Sequence, residues 1–200
     1  MAQNSQNDPE RYALESQIRE CYGRCAYTHK THEKMAERLH DRHKRGKWAN
    51  IVLSALITGG AVSVIFAKGS SFEQYAGYAT AALSILSLIF NAYLKDLDPG
   101  ALAQRHREAA SDIWNIREAY LSLITDVVDK QANIDELRKR RDGLQLALHK
   151  IYHGAPHTDG KAYGKAQDAL KYNEDLTFAE DELDLMLPNS LRRSNRDGAQ

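Results

Sequence analysis

An all-α fold, a transmembrane helical hairpin with long cytoplasmic antiparallel helices and short C-terminal helices, follows from three observations. Two uncharged runs of twenty residues, 48–67 and 75–94, are separated by only seven, Lys68 to Gln74. The segments flanking them repeat apolar residues at alternating steps of three and four, the signature of a helix packed along one side. From Arg11 to about Arg45 there is neither a proline nor a cluster of turn residues.

The hairpin organises the rest. At ~1.5 Å per residue each uncharged run reaches roughly 30 Å, the thickness of a bilayer's hydrocarbon core. A linker this short forces the two helices antiparallel. The remainder of the chain is too polar to bury both runs inside a soluble protein. Arg42, His43, Lys44, Arg45 and Lys47 precede the first run and Lys95, Arg105 and Arg107 follow the second, whereas the linker holds only Lys68. The positive-inside bias therefore predicts a bacterial inner-membrane protein with two spans and both termini cytoplasmic. Trp48, Tyr75, Tyr78 and Tyr93 lie near the span ends, where amphipathic rings favour the headgroup region.

In chain order, residues 1–10 are polar and expected to be disordered, with no signal sequence, so the first span serves for insertion. Residues 11–46 read as a cytoplasmic helix with the seam Leu14, Ile18, Cys21, Cys25, Thr28, His32, Met35 and Leu39. Thr28 and His32 weaken it, and Gly46 offers a change of direction before the hairpin of 48–94. Asp98-Pro99 restarts a helix, Asp as N-cap and Pro in the first turn. Its seam runs through Leu102, Ala109, Ile113, Ile116, Tyr120, Leu123 and Val127 and on through Ile134, Leu137, Leu144, Leu148 and Ile151. His106, Lys130 and Arg141 interrupt it. The period allows one helix over 98–152, nearly 80 Å long, or a break near Lys130 to Asn133. The two seams are expected to meet as an antiparallel coiled coil. The segment 159–193 holds two shorter helices, Asp159 to about Glu174 and one opened by a capping box at Thr177-Phe-Ala-Glu180. Pro188 ends the second, and 194–200 form a polar tail.

Composition excludes some functions. Lys+Arg and Asp+Glu balance at 27 each, so no nucleic-acid footprint of basic excess exists and no direct nucleic-acid partner is expected. Cys21 and Cys25 fall on the reducing side, where a structural disulfide is not expected.

Several short motifs outside the hairpin are more specific. They are Arg105-His-Arg107, Trp114-x-x-Arg117-Glu118-x-Tyr120-x-x-Leu123, Ile151-Tyr-x-x-Ala155-Pro156-x-Thr158, Tyr163-x-x-Ala166 and Leu170-Lys171-x-x-Glu174. Thr177-Phe178-x-Glu180-x-Glu182-Leu183-Asp184 and Leu187-Pro188-x-x-Leu191-Arg192 complete the set. With the paired spans they resemble the SLATT domain, a two-transmembrane effector family associated with second-messenger nucleotide systems of bacteria, from about Tyr22 to Arg193. The resemblance implies an effector of anti-phage or other conflict systems that disrupts the membrane when a partner senses infection. It implies an operon-encoded nucleotidyltransferase, nucleotide sensor or reverse transcriptase as partner, and it brings no catalytic residues.

The residues themselves point to one candidate site. Thr80, Ser84, Ser87 and Asn91 form one stripe on the second span; the first offers Ser54 and Thr58, with Gly59 and Ser63 at small-xxx-small spacing. Such groups either line a pore or pack helices closely. Two helices enclose no water path, so a pore requires a homo-oligomer of about four subunits or more, in contact with the lipid bilayer. Arg42, His43, Lys44, Arg45 and Lys47 form a basic collar for topology or anionic headgroups. Cys21, Cys25, His29 and His32 have spacings compatible with Zn²⁺, but one helix face rarely supplies a closed site, and neither metal nor cofactor is expected. Gly154 to Lys161 lacks the spacing and the Ser or Thr of a phosphate loop, and His32-Glu33-Lys-Met-Ala36 lacks the second His of a zinc protease. No enzyme is expected. The reading is a pore-forming or membrane-disrupting effector; the alternative is a non-conducting anchored scaffold that recruits a cytoplasmic sensor through its coiled coil.

Overall fold

The computed structural model describes residues 2–66, 68–69, 71–130, 132–173, 176–188 and 192–193. Six helices and no strand occur among them: α1 Ala2–Phe66, α2 Ser71–Leu97, α3 Pro99–Val128, α4 Ile134–Gly154, α5 Gly160–Lys171 and α6 Glu180–Met186. The predicted tail from Ser194, the predicted end of the fifth helix at Glu174 and Leu191 of the C-terminal motif lie outside the described residues.

α1 runs through 65 residues without a break, which at ~1.5 Å per residue is about 100 Å. Its backbone is already helical at Ala2, ahead of Arg11. Gly46 does not turn it. Instead Gly46 is buried, and an added Cβ there would lie 2.9 Å from Leu94 Cδ1. The glycine lets α2 approach the base of the hairpin. A turn at Gly69, in the left-handed region at φ 86°, sends the chain back along α2.

Below the hairpin α3 descends antiparallel to α1, with His43 over Gly100, His32 beside His106 and Arg11 beside Val127. The predicted seams meet there. Leu14, Ile18 and Cys25 of α1 are buried with Ile113, Tyr120, Leu123 and Val127 of α3.

The chain takes the break between α3 and α4, so the continuous 98–152 helix is replaced by two. Lys130 is not a seam position but lies in the turn, at φ 56°. Asn133 caps α4 by accepting from Asp135 N at 3.1 Å. Arg11 pins the turn, donating to Val127 O at 3.1 Å and Ala132 O at 2.8 Å. α4 then returns beside α1, with Arg138 on Glu10 at 3.1 Å and Arg141 Nη1 on Gln17 Oε1 at 2.6 Å. The physical reason is burial: folded back, Ile134 and Leu137 join the same core, whereas an extended rod would leave them in water.

α5 closes the bundle at the end nearer the hairpin. Asp159 caps it, accepting from Ala162 N at 2.9 Å, and pairs with Arg38 of α1. Ala162 packs with Met35, Leu39 and Ala103, and Tyr163 stacks on Tyr27 at 6.0 Å between ring centres. α6 opens at Glu180, directly behind Ala179.

Candidate functional site in the hairpin

α1 and α2 each carry a stretch long and apolar enough to cross a membrane. Their large apolar side chains face outward: Ile51, Val52, Leu56, Ile65, Ile85, Leu86, Leu88 and Ile89 are all more than half exposed. Among the described residues nothing in the bundle covers this surface, which suits a bilayer and not water.

Within the hairpin, the facing seam is Gly46, Asn50, Leu53, Ile57, Gly60 and Val64 on α1 and Thr80, Leu83, Ser87, Phe90 and Leu94 on α2, all partly or fully buried, with Ala49 and Ser63 of α1 and Glu73, Ala76 and Gly77 of α2 also half-buried. The predicted polar stripe is therefore split. Thr80 and Ser87 point into the seam, while Ser84 and Asn91 are exposed, as are Ser54 and Thr58. Ser54, Ser84 and Asn91 each lie beside the seam in the same helical sense. In an antiparallel pair of right-handed helices, that places them on one edge. Asn50 donates to Asn91 Oδ1, and a Cβ on Gly60 would run into Thr80 Oγ1. Ten residues of rise on α1 thus match eleven of descent on α2. Ser54 falls level with Ser87, and Thr58 with Ala82, about two residues beyond Ser84. The polar groups of both helices share one side of the hairpin over about two helical turns.

Most of these groups are already bonded within their own helix. Thr58 Oγ1 donates to Ser54 O at 2.9 Å, Thr80 Oγ1 to Ala76 O at 2.8 Å and Ser84 Oγ to Thr80 O at 2.8 Å. Asn91 Nδ2 reaches Ser87 Oγ at 3.4 Å. Hydroxyls satisfied by the preceding turn need no water, so the edge is compatible with lipid or with another subunit. Spacing missed two participants. Asn50 is the partner of Asn91, and the close approach belongs to Gly60, whereas Gly59 has open space beside it.

The collar residues divide as well. Arg42 Nη2 donates to the Tyr93 hydroxyl of α2 at 3.2 Å, His43 lies over Gly100, and Arg45 Nε donates to Asp41 O at 3.4 Å. Lys44 and Lys47 are exposed.

The four residues with zinc-like spacing do not converge. His29 Nδ1 lies 3.0 Å from Ala110 O, so that N–H donates. Cys25 is buried and its thiol is pushed up to about 11 by that burial. Among the described residues no three His, Cys, Asp or Glu side chains form a metal-sized group. His32 instead turns to His106, Nδ1 to Nδ1 at 2.9 Å, with both rings buried. Burial first, then the charges of His106 and His29, depress the His32 pKa to about 4. Burial and then Arg38 depress His106, with Asp159 opposing.

A sequence model of one family, described as SMODS and SLOG-associating 2TM effector domain family 4, matches residues 14–182. No curated protein and no solved structure matches the chain.

Proposed function

The chain belongs to the SLATT family of two-transmembrane effectors that associate with SMODS and SLOG proteins, and on that premise we propose that it assembles in a bacterial inner membrane as a homo-oligomer whose polar hairpin edges line a pore. Its family is described as an effector and not as a catalytic domain, and no catalysis is assigned to it. The observation that carries the reading is the shared polar edge of Ser54, Thr58, Ser84 and Asn91 on a hairpin otherwise apolar outward. Lipid tolerates this edge only through the bonds within its own helices, whereas water or another subunit also offers the Asn91 amide partners that lipid lacks. Subunits arranged around an axis turn that edge inward and leave the apolar faces to lipid. The basic collar at Arg42, His43, Lys44, Arg45 and Lys47 supports cytoplasmic placement of both termini and of the bundle. An operon-encoded nucleotidyltransferase, nucleotide sensor or reverse transcriptase would supply the trigger.

The anchored-scaffold alternative loses its main device. The coiled-coil seams of α1, α3 and α4 are consumed in the protein's own core, so they are not free to recruit a sensor. The test is Ser84→Leu with Asn91→Leu, in cells expressing the protein with its operon partners, read by dye entry and membrane potential. Depolarisation by wild type and an intact potential with the double variant, at equal membrane insertion, is the expected result. Equal depolarisation by both removes the pore lining, and a functioning system with no depolarisation by wild type leaves the scaffold.

A further inference from the structure

An open cavity of about 680 Å³ lies between α1 and the start of α5. Arg38, Arg42 and Arg45 line it from α1 and Lys161 from α5. Steps of four and three put the three arginines on one face of α1, the face α5 packs against. Arg38 is neutralised by Asp159, whose carboxylate is held at about 2 by the Arg38 hydrogen bond and the Ala162 backbone N–H. Among the described residues no carboxylate lies within ion-pair distance of Arg42, Arg45 or Lys161. Their charges are uncompensated around a space large enough for a ligand. Like charges gathered on two different helices repel, and the one carboxylate between them, Asp159, is already spent on Arg38.

We propose that this cavity, walled by Arg38, Arg42, Arg45 and Lys161, is a binding site for a phosphate group. Guanidinium forks match tetrahedral oxygens geometrically, and Lys161 adds a compact charge from the opposite wall. Three uncompensated cations suit a pyrophosphate or a phosphate ester with two or more negative charges. The site joins three elements, because Arg42 is also bonded to Tyr93 near the end of the second span. A bound phosphate would fasten α5 to the base of the hairpin. A phosphate here has two sources, a phospholipid headgroup or a soluble phosphorylated compound, and the site's chemistry is the same for both. The proposal does not depend on whether the hairpin conducts.

The test uses the full chain in neutral detergent at low salt, without phosphate buffer. Pyrophosphate binding is measured by calorimetry, and retention of phosphatidylglycerol against phosphatidylcholine by native mass spectrometry. The variants are Arg42→Gln with Arg45→Gln, Lys161→Gln, and Lys44→Gln as a control. Lys44 is exposed at the same level of α1 and does not line the cavity. The expected result is saturable binding of one probe, weakened tenfold or more by the arginine pair and several-fold by Lys161→Gln, and unchanged by Lys44→Gln. Pyrophosphate alone identifies a soluble source, and phosphatidylglycerol alone a lipid one. Binding that ignores Lys161→Gln, or that falls equally with Lys44→Gln, is the diffuse attraction of a basic collar and overturns the site. Failure of both probes to bind wild type overturns it too. Lys161→Gln removes only an exposed side chain, so its result stands even if the arginine pair misfolds.

Discussion

Lowering the pH should loosen the bundle through His32 and His106, by an amount the structure sets. Their Nδ1 atoms are 2.9 Å apart, so one ring donates and the other accepts, and both are neutral. A further proton must go to an outer nitrogen, and His106 Nε2 is buried without a hydrogen-bond partner. The folded state therefore resists a proton that the unfolded chain accepts near 6.5, while folded His32 accepts it only near 4. The sign follows: stability is present above pH 6.5 and is lost as pH falls towards 4, with no further loss from this group below that. At ~1.36 kcal/mol per pH unit, His32 alone costs about 2 kcal/mol between pH 7.5 and 5. For a chain of this size that is a fall in Tm of about 4–8 °C, and His106 acts in the same direction. The assay is thermal unfolding of the full chain in detergent by circular dichroism, comparing wild type with His32→Leu/His106→Leu. Both rings are replaced together, because removing one strands the other's nitrogen at a cost of ~1–3 kcal/mol at every pH. The double variant should lose at least 4 °C less than wild type between pH 7.5 and 5. An identical loss in the two proteins would refute the buried neutral pair.

Leu137 is fully buried where α4 meets the α1–α3 core, and Leu137→Ala should cost about 2–5 kcal/mol. Limited proteolysis should then cut the α3–α4 turn faster than in wild type; an unchanged rate would mean α4 is not docked as described. Gly60→Val drives a side chain into Thr80, an overpacking of about 1–3 kcal/mol. Bismaleimide cross-linking of Asn50→Cys to Asn91→Cys, with Cys21 and Cys25 replaced by alanine, should fall several-fold in that background. Undiminished cross-linking would show that α2 does not approach α1 there.

Periodicity carried much of this fold. The positions from Leu14 to Leu39 that repeat at steps of three and four are buried or partly buried, and so are their counterparts from Leu102 to Val127. Their spacing reports a local property, the rotation of successive residues about one axis. Where the chain reverses is not local in that sense. The seam continues through Ile134 and Leu137 whether α4 extends α3 or folds back. What decides is the burial available on the far side of the turn, together with Arg11 reaching across 116 residues to Val127 O. The same limit applies to His106, which reads as a flaw in a seam until His32, 74 residues earlier, is seen beside it.

The site was legible in type and illegible in rotation. Hydroxyl and amide spacing marked Thr80, Ser84, Ser87 and Asn91 as one stripe, but only the partner helix divides them into two that pack and two that are exposed. Gly59 and Gly60 are adjacent and chemically identical, and about 100° of helix rotation makes one open and the other a contact. The cavity at Arg38 and Lys161 was invisible for a further reason. Its walls come from helices separated by more than 100 residues, joined by the Arg38–Asp159 pair.

The two connections between hairpin and bundle are mechanically unlike. α1 passes through Gly46 as one hydrogen-bonded helix, so bending it there means breaking backbone bonds of the helix itself. α2 and α3 are joined through Asp98 alone, at φ 30° and ψ 63°. A residue with a Cβ in this left-handed conformation costs ~1–2 kcal/mol. Asp98 offsets part of that by accepting from Ala101 N at 3.0 Å. A joint made of one strained residue and one side-chain cap is softer than a continuous helix. If the polar edge rotates relative to the bundle, the smaller cost lies in swinging α2 about Asp98 while α1 stays straight. Nearest the joint, the contacts that oppose such a swing are Leu94 on Gly46 and Tyr93 on Arg42, and beyond them Asn91 on Asn50 and Thr80 on Gly60. The second of these belongs to the same arginine that walls the phosphate cavity, so an anion held there would act on the stiffness of the joint directly.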